Sequence, residues 1–343
     1  MPNLFKGKTI LVTGGTGSIG SEIVRQLLTK EPKVVRVFAR HEERHHQMMQ
    51  DFSGDERRLR FIVGDIRDRD RLRMAMEGVD IVFHAAALKH VPLCETNPFE
   101  AVKTNIIGTQ NVIDLARELD VEKVIGISTD KAAEPESVLG VSKLMAEKLF
   151  LATYFYKGNK KATFACVRFG NVLGSRGSLL PLLKKQITEK GEVTVTDPAM
   201  TRFVMTVPQA VELVLRAVEL SRGQEVFILK MPAARLGDIV DAAIALYAPE
   251  TGKKPSDIRI KIIGTRNGEK QHERLLAEYE LGRVLETADM YILTPNEKVG
   301  LQHYTAVYPG VIKAHIQKKL FLSDHVPLLT FDKLRALIKT VTF

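Results

Sequence analysis

The feature that most restricts the fold of this chain is a glycine-rich turn close to its amino terminus. The segment TGGTGSIG has glycines three residues apart, follows the apolar run Thr9–Val12 and precedes a helical segment at Ser21–Leu28. Glycines at this spacing allow a tight turn and the close approach of a pyrophosphate, while the helix amino terminus offers free N–H groups and a favourable dipole. We therefore predict a dinucleotide-binding turn, with an ordinary strand-to-helix turn as the alternative. Its predicted binding residues are Gly14, Thr16, Gly17, Ser18, Ile19 and Gly20.

The amino-terminal half of the chain alternates short apolar runs with longer segments of helical periodicity. The runs, rich in β-branched or aromatic residues, are Thr9–Val12, Val34–Phe38, Phe61–Val63, Ile81–Phe83, Val124–Ile127 and Phe164–Val167. This alternation predicts an α/β fold with a doubly wound parallel sheet of the Rossmann type. Because such sheets bind ligands at the carboxyl ends of their strands, the residues that follow each run are candidates for a site.

The length of the chain indicates more than one lobe, because 343 residues exceed what a single hydrophobic core usually organises. Residues 1–170, with a return of the chain at about 205–232, are predicted to form the dinucleotide-binding domain. Residues 171–343 are predicted to form a smaller substrate-binding lobe and a carboxyl-terminal extension, with a discontinuous boundary. Two segments of this lobe, GNVLGSRGS and TVTDPAMTR, are predicted to be loops around a helix at Leu179–Glu189.

Composition and charge narrow the classes of partner. The net charge of +9 suits nucleic acid, an anionic membrane surface or polyanionic small molecules, but basic clusters interleaved with aromatic residues are absent, which argues against nucleic acid. No segment reaches the roughly 18 apolar residues of a membrane span. Cys94 and Cys166 lack metal-ligand spacing, so we predict no disulfide framework, no metal site and a cytoplasmic location. The segment from His41 to His46 is predicted to be a solvated helix face.

The residues after the second strand bear on which dinucleotide is bound. An NAD enzyme usually presents Asp or Glu to the ribose hydroxyls here, whereas this chain has Ala39 followed by Arg40. An arginine can pair with the 2′-phosphate of NADP, so we predict NADP, while Glu42 and Glu43 keep NAD open. Further predicted contacts are Asp65 and Ile66 with adenine, and Ala85, Ala86 and Ala87 where the cofactor crosses the sheet edge.

An acid and a base follow the fifth strand. Thr129, Asp130 and Lys131 come directly after Val124–Ile127, and a carboxylate beside an ammonium supplies complementary groups for proton transfer. An isolated pair of this kind is usually only a local ion pair. Its position at the carboxyl end of a strand favours catalysis.

Several segments together resemble a known family. TGGTGSIG, AAALKHVP, TNIIGTQNV, STDKA and LGVSK occur in the order and spacing of extended short-chain dehydrogenases. With RFGNVLGSRGS, TVTDPAMTRF and NGEKQHE, residues 5–280 are similar to the UDP-N-acetylglucosamine 4,6-dehydratases of bacterial surface-polysaccharide synthesis, especially the 5-inverting branch. The family pattern Tyr-x-x-x-Lys is broken, because Leu139 stands four residues before Lys143. Leucine cannot transfer a proton, although some capsule-synthesis members resemble this chain in carrying methionine there.

The resemblance implies a role for each catalytic candidate. Lys131 exchanges the proton on sugar carbon 5, Asp130 protonates the departing 6-hydroxyl, and Lys143 holds the nicotinamide ribose. Thr129 handles the 4-hydroxyl proton in place of tyrosine, and Asn105 orders nearby backbone at the cofactor. Lys131 needs a depressed pKa to act as a base, which we expect from burial beside Lys143 and the positively charged nicotinamide.

Other residues are expected to hold the nucleotide sugar. Lys89 and His90 in the loop after the fourth strand are expected to touch sugar or ribose, Lys89 also contacting the cofactor. Arginines suit the diphosphate because their planar fork makes paired hydrogen bonds. The remaining substrate residues implied by the resemblance are Asn171, Arg176, Val195, Arg202, Arg266 and Glu269.

The resemblance therefore implies a UDP-N-acetylglucosamine 4,6-dehydratase in which the dinucleotide is recycled without net redox change. Two alternatives stay open, a nucleotide-sugar 4-epimerase and a catalytically inactive sensor that binds NADP. The resemblance also implies that the chain forms a homo-oligomer, for which a hexamer is one expected state.

Overall fold

A computed structural model describes residues 3–156, 161–295, 308, 311–313 and 321–341. Within these residues the strands are β1 Thr9–Thr13, β2 Val34–Ala39, β3 Leu59–Val63, β4 Ile81–His84, β5 Lys123–Ile127, β6 Thr163–Arg168, β7 Asn171–Leu173, β8 Glu192–Val195, β9 Thr201–Thr206, β10 Val226–Leu229, β11 Ala233–Arg235, β12 Arg259–Ile262, β13 Val284–Glu286, β14 Met290–Leu293 and β15 Ile312–Lys313. The six predicted strands are confirmed, each one or two residues longer than predicted.

The helices of the described residues lie between these strands and after them. They are α1 Ser18–Leu28, α2 Glu42–Asp51, α3 Arg69–Met76, α4 Val91–Thr96, α5 Pro98–Ala101, α6 Gly108–Glu118, α7 Val138–Ala152, α8 Leu179–Lys190, α9 Val207–Leu220, α10 Leu236–Tyr247 and α11 Phe331–Lys339, with a π-helical segment at Val102–Ile107. Helix α1 begins three residues before its predicted start, because Ser21 N–H already bonds to the Gly17 carbonyl at 2.8 Å. The glycine turn therefore leads directly into helical backbone.

The large sheet confirms the predicted doubly wound fold. Its described strands run in the order β15-β13-β14-β10-β6-β5-β4-β1-β2-β3, and β1 to β6 with β10 are parallel. Strands β13, β14 and β15 add an antiparallel edge. Because β1, β2, β4 and β5 end at the same edge, the turns that follow them meet there.

The smaller lobe has its own sheets and its own core. Strands β11, β9 and β7 form one small sheet, and β12 pairs with β8 in another. Side chains of α8, α10 and α11 pack together, including Leu183, Ile239, Ile244, Leu334 and Ile338. The prediction of loops at GNVLGSRGS and TVTDPAMTR was wrong in part, because β7, β8 and β9 lie within or beside them. Pairing with distant strands decides these short segments, and local sequence does not show it.

The carboxyl-terminal part is divided between the two lobes. Strands β10, β13 and β14 extend the large sheet, whereas α11 packs on α10 in the smaller lobe. The return at about 205–232 thus contains α9 and β10, but the sequence did not indicate that 284–293 would join the large sheet. Parts of the predicted extension, 296–307, 309–310, 314–320 and 342–343, lie outside the described residues. The domain division itself stays a prediction.

Candidate active site

A cleft of about 780 Å³ lies between the carboxyl edge of the large sheet and the smaller lobe. It brings together nearly all residues predicted for the site, from segments far apart in sequence. Those that line it are Gly14, Thr16, Gly17, Ser18, Ile19, Gly20, Arg40, Asp65, Ile66, Ala85, Ala86, Ala87, Lys89, His90, Thr129, Lys131, Lys143, Asn171, Arg176, Val195, Arg202, Arg266 and Glu269. Asp130 and Asn105 lie behind its wall. The individual binding roles stay predictions.

The glycine turn is shaped by close backbone contacts. Gly14 has a φ of +65°, and a Cβ there would lie 2.7 Å from the backbone nitrogen of Ala86. A Cβ on Gly20 would lie 2.3 Å from the Gly14 carbonyl oxygen. Only glycine fits at these two positions, so the turn can lie directly against the alanine segment after β4. This is a cradle of the kind that a dinucleotide pyrophosphate requires.

A buried hydrogen-bond chain holds the alanine segment in place. The ring of His84 lies between Thr13 Oγ1, 2.8 Å from Nδ1, and Thr109 Oγ1, 3.0 Å from Nε2. Burial lowers the pKa of His84 to about 3, so the ring is neutral. Because Thr109 donates its hydroxyl to the Asn105 carbonyl, it accepts from Nε2, and Nδ1 accepts from Thr13. Thr13 in turn accepts from the N–H of Ala86 at 3.4 Å.

Asn105 positions backbone and does not line the cleft. Its Oδ1 accepts from the N–H of Leu88 at 2.8 Å, while its Nδ2 donates to the Leu88 carbonyl and to Ser142 Oγ, at 3.2 and 2.9 Å. Ser142 donates to the carbonyl of Leu139. Asn105 therefore links the loop after β4 to α7, which agrees with an ordering role and places its side chain away from a direct cofactor contact.

Four cations converge at the outer end of the cleft. They are Arg40, Arg44, Lys89 and Arg176. Burial, followed by the neighbouring cations Arg176 and Arg44, lowers the pKa of Lys89. Sequence reasoning missed Arg44, which lies in the first turn of α2 within the segment from His41 to His46 that was predicted to be a solvated helix face. This grouping of positive charge favours an anionic ligand at this end.

Arg176 lies over the glycine turn, at the dinucleotide end of the cleft. Its guanidinium donates to the Thr16 carbonyl, and its backbone N–H donates to Ser18 Oγ at 2.9 Å. Lys89 donates to the Arg176 carbonyl. The resemblance implied a substrate contact for Arg176, and this placement puts it instead beside the predicted pyrophosphate turn.

At the predicted adenine end of the cleft, the carboxylate of Asp65 lies close to Arg40 and could neutralise it. Arg40 Nη1 lies 3.7 Å from Asp65 Oδ2, and Arg67 Nη2 lies 2.7 Å from the same oxygen. Burial opposes the ionisation of Asp65, yet hydrogen bonds from Arg67 lower its pKa overall. Arg67 therefore neutralises Asp65 at shorter range than Arg40 does, and Arg40, whose side chain is 42% exposed, keeps a face toward solvent and the cleft.

Asp130 and Lys131, the predicted acid and base, form an ion pair in which Lys131 lines the cleft and Asp130 lies behind its wall. Asp130 is fully buried, and its Oδ1 accepts from Thr129 Oγ1 at 3.0 Å and from Lys131 Nζ at 3.1 Å. Lys131 Nζ also lies 2.8 Å from Glu273 Oε1 and 3.5 Å from Asn171 Oδ1. Two carboxylates thus share one ammonium. Sequence reasoning missed Glu273, although it lies four residues after Glu269 in the motif NGEKQHE.

The protonation preferences differ from the predicted ones. Burial acts to lower the pKa of Lys131, but Asp130 and Glu273 outweigh it and raise the pKa above its ordinary value. The prediction of a depressed Lys131 pKa is therefore wrong, because the sequence does not show that Glu273 packs against the same ammonium. Burial raises the pKa of Asp130, which suits a proton donor. Lys143 has the depressed pKa, caused by burial, and it donates to the Ile127 carbonyl at 2.6 Å.

Leu139 occupies the position of the family tyrosine on α7. It is 5% exposed, lines the cleft, and packs with Cys94 and Ala101. Its place beside Lys131 and Lys143 on the same wall means that a hydrocarbon surface replaces a phenol there.

The substrate end is built from the smaller lobe. Arg202 Nη1 donates to the Thr201 and Gln271 carbonyls at 2.8 and 3.2 Å, and Nη2 lies 3.3 Å from Glu269 Oε1. Val195 is buried beside it, and Arg266 is exposed. These contacts fix Arg202 and leave Arg266 free to turn toward a ligand.

His90, which is exposed, lies against the loop that carries Arg176. A Cβ on Gly177 would come within 2.7 Å of the His90 ring. Burial lowers the pKa of His90, and the adjacent Lys89 lowers it further. His90 is therefore neutral at pH 7 and placed to donate or accept one hydrogen bond.

Three expectations about other kinds of site can be compared with the described residues. The helix face that starts at His41 is only partly solvated, because His45 is buried, its Nε2–H donates to the Ala39 carbonyl at 3.0 Å, and burial lowers its pKa. Across the described ranges, no three or more His, Cys, Asp and Glu side chains are grouped for a metal ion. None of the described helices has the length and apolar character to cross a bilayer.

Comparison with known proteins places the chain in a family. Residues 10–295 match the family described as polysaccharide biosynthesis protein. A protein of Methanocaldococcus jannaschii, named an uncharacterized membrane protein, is 49% identical over 342 residues, covering 99% of this chain and 98% of that one. The UDP-N-acetylglucosamine 4,6-dehydratase (inverting) of Campylobacter jejuni is 41% identical over 298 residues, covering 86% of this chain and 85% of that one.

Two further matches cover nearly the whole chain. The UDP-glucose 4-epimerase of Rickettsia canadensis is 38% identical over 344 residues, covering 99% of this chain and 98% of that one. The X-ray structure of Pen from Bacillus thuringiensis superposes with a TM-score of 0.90 at 41% identity, covering 98% of both chains. The cleft, the sheet order and these matches agree, and the chain belongs to the polysaccharide biosynthesis protein family as an extended short-chain dehydrogenase/reductase that resembles the inverting UDP-N-acetylglucosamine 4,6-dehydratases.

Proposed function

We propose that this protein is a UDP-N-acetylglucosamine 4,6-dehydratase of the inverting type that uses NADP. The observation that carries the proposal is the buried Asp130–Lys131 pair at the floor of the cleft, next to Lys143 and facing Leu139 instead of a tyrosine. The pair supplies an acid and a base, which an elimination of water requires. The likeness to the Campylobacter jejuni enzyme supports the choice of sugar nucleotide.

The glycine turn and the cations fit a nicotinamide dinucleotide. The cradle that a Cβ on Gly14 would fill receives the pyrophosphate, and Lys143 holds the nicotinamide ribose. A nicotinamide held there would supply a hydride acceptor for sugar carbon 4 and a hydride donor for carbon 6. Arg40 and Arg44, two cations that line the cleft after β2, favour NADP, and Glu42 and Glu43 at the same helix start leave NAD as the alternative.

The residues of this chain then move protons at carbon 5, at the 6-hydroxyl and at the 4-hydroxyl. A ketone at carbon 4 acidifies the proton on carbon 5, and Lys131, as a neutral amine, removes that proton. Asp130, as a carboxylic acid, gives its proton to the 6-hydroxyl, which leaves as water. Carbon 5 takes up a solvent-derived proton on its opposite face when the hydride reaches carbon 6. Thr129, which bonds to Asp130 Oδ1, is the group proposed to pass on the 4-hydroxyl proton. Arg202 and Arg266 hold the diphosphate at the substrate end.

A nucleotide-sugar 4-epimerase is the second candidate, favoured by the likeness to the Rickettsia canadensis protein. An epimerase oxidises and reduces carbon 4 without proton transfer at carbon 5, and the tyrosine base usual in such enzymes is replaced here by Leu139. A sensor that binds NADP without catalysis is the third. The cytoplasmic location and a homo-oligomer stay predictions.

The test is incubation of the protein with UDP-N-acetylglucosamine in deuterated water, followed by proton NMR and mass spectrometry. The proposal expects loss of one water, deuterium at carbon 5, inverted configuration there, and no consumption of added NADPH. A product of unchanged mass with inverted carbon 4 identifies the epimerase. An unaltered sugar that still binds identifies the sensor.

A further inference from the structure

Glu273 is the buried carboxylate of the cleft that has no assigned task. It is 1% exposed, and its backbone is fixed on both sides by Ser323, whose Oγ accepts from Glu273 N–H and whose N–H donates to the Glu273 carbonyl, each at 2.9 Å. Its Oε1 lies 2.8 Å from Lys131 Nζ and 3.9 Å from Arg202 Nε. Its Oε2 is buried and has no hydrogen-bond partner among the described residues. Burial of a carboxylate is costly unless it is paired, so this placement requires Lys131 to be charged.

We propose that Glu273 is a positioning residue that keeps one proton on the Asp130–Lys131 pair at neutral pH. The inference deepens the proposed function and rests on it for the use of that proton. The geometry behind it is that Glu273 and Asp130 contact the same ammonium, at 2.8 and 3.1 Å. Glu273 does not line the cleft, so it acts through Lys131 and not on the sugar.

The proton count explains why such a residue is needed. In the resting pair Lys131 is an ammonium and Asp130 a carboxylate. Transfer of one proton from Lys131 Nζ to Asp130 Oδ1 breaks an N–H bond, forms an O–H bond, and yields the amine and the carboxylic acid that dehydration uses. In both forms the two residues together hold one transferable proton, on Lys131 in the first form and on Asp130 in the second. Loss of that proton to solvent leaves the amine but removes the acid.

The charges around the pair balance only when Glu273 is ionised. The charged groups that act on Lys131 are Asp130, Glu273 and Arg202. Lys270, whose Nζ donates to the Ala133 carbonyl at 2.8 Å, is offset by Glu273, Glu136 and Asp130. Around the pair itself, Lys131 and Arg202 therefore balance Asp130 and Glu273. Replacing the Glu273 carboxylate by an amide leaves one excess positive charge, which favours loss of the proton from Lys131.

The experiment is competitive acetylation of the lysines with trace acetic anhydride across pH, read for each lysine by peptide mass spectrometry. It needs no turnover and reports the pH at which each amine becomes half deprotonated. In Glu273→Gln we expect the Lys131 midpoint to fall by roughly one to three pH units. Glu136→Gln is the matched control, since Glu136 is an exposed carboxylate in the loop after β5 and acts on Lys270 but not on Lys131. We expect it to leave the Lys131 midpoint unchanged.

Two outcomes overturn the inference. One is a Lys131 midpoint that stays the same in a Glu273→Gln protein whose melting curve shows it folded. The other, which needs no variant, is a Lys131 midpoint in the parent protein that lies below that of Lys143 or below the ordinary value of about 10.4. The Lys131 midpoint can shift as expected in a protein that never dehydrates UDP-N-acetylglucosamine. That result supports the role of Glu273 and rejects the proposed dehydratase function. In a protein that does dehydrate, the alkaline limb of carbon-5 exchange moves down with the Lys131 midpoint.

Discussion

At the glycine turn the cleft is shaped by backbone, whereas around Lys131 it is shaped by charged side chains from separate segments. The turn is contiguous from Gly14 to Gly20 and depends on the lack of a Cβ. The acid–base centre joins a pair after β5 to Asn171, Arg202 and Glu273. The first kind of site tolerates few residue types but is readable in sequence. The second depends on how distant elements pack, so its electrostatics are set only in the folded chain.

The largest expected effect is on the side-chain end. Lys131→Arg keeps a cation between Asp130 and Glu273 but replaces the amine by a guanidinium that does not deprotonate. We expect carbon-5 deuterium exchange and product formation to fall by about 10²- to 10⁴-fold with the melting temperature nearly unchanged. Proton NMR and thermal melting measure both. Exchange at the parent rate would mean that another group takes the carbon-5 proton.

Replacing Lys131 by alanine removes the positive charge as well as the amine, so it tests how much the charge contributes to stability. Lys131→Ala leaves two buried carboxylates without their shared ammonium, so we expect a loss of about 3–5 kcal/mol in the free energy of unfolding, measured by denaturant titration. This variant should lose activity as Lys131→Arg does. A variant as stable as the parent would show that Asp130 or Glu273 is protonated when the lysine is absent.

Variants at Leu139 test whether this side chain contributes only packing to the cleft wall. Leu139→Ala should cost about 2–5 kcal/mol of stability, at the lower end because its cluster is small, whereas Leu139→Met should cost little. Both variants are expected to keep carbon-5 exchange, since neither residue transfers protons. A loss of exchange in Leu139→Met, with the fold intact, would assign the leucine a role in the chemistry.

The backbone end is tested at Gly14, with Gly7 as a matched control. Both have a left-handed φ, +65° and +71°, but a Cβ on Gly7 meets nothing within 4 Å. Both alanine variants incur the strain of about 1–2 kcal/mol of that backbone conformation. Only Gly14→Ala should also lose retained dinucleotide, by at least about tenfold, measured as cofactor released on denaturation of the purified protein. Equal retention in the two variants would remove the turn from the cofactor site.

The sequence predicted the backbone end more fully than the side-chain end, for a physical reason. The glycine spacing, the apolar runs and the pair Asp130–Lys131 are local patterns, and each appears in the structure where it was expected. Glu273, the burial of His45 and the strands β7 to β9 depend on contacts with distant residues. Arg176 shows that a recognised motif does not predict side-chain direction. Its loop was identified from sequence, but its guanidinium points to the Thr16 carbonyl across the cleft.

The smallest expected effect concerns Arg40. Its side chain is predicted to add specificity for NADP to a cofactor site that is otherwise shaped by backbone. Arg40→Ala should weaken NADP binding by about tenfold, near the lower end of a charge-assisted contact, because the side chain is partly exposed and Arg44 remains. NAD binding should hardly change, since NAD has no 2′-phosphate. Isothermal titration of each dinucleotide into protein stripped of cofactor measures the two affinities. Equal losses for NADP and NAD would assign Arg40 to the shared part of the dinucleotide, and NAD as the sole molecule released from the parent protein would reverse the preference.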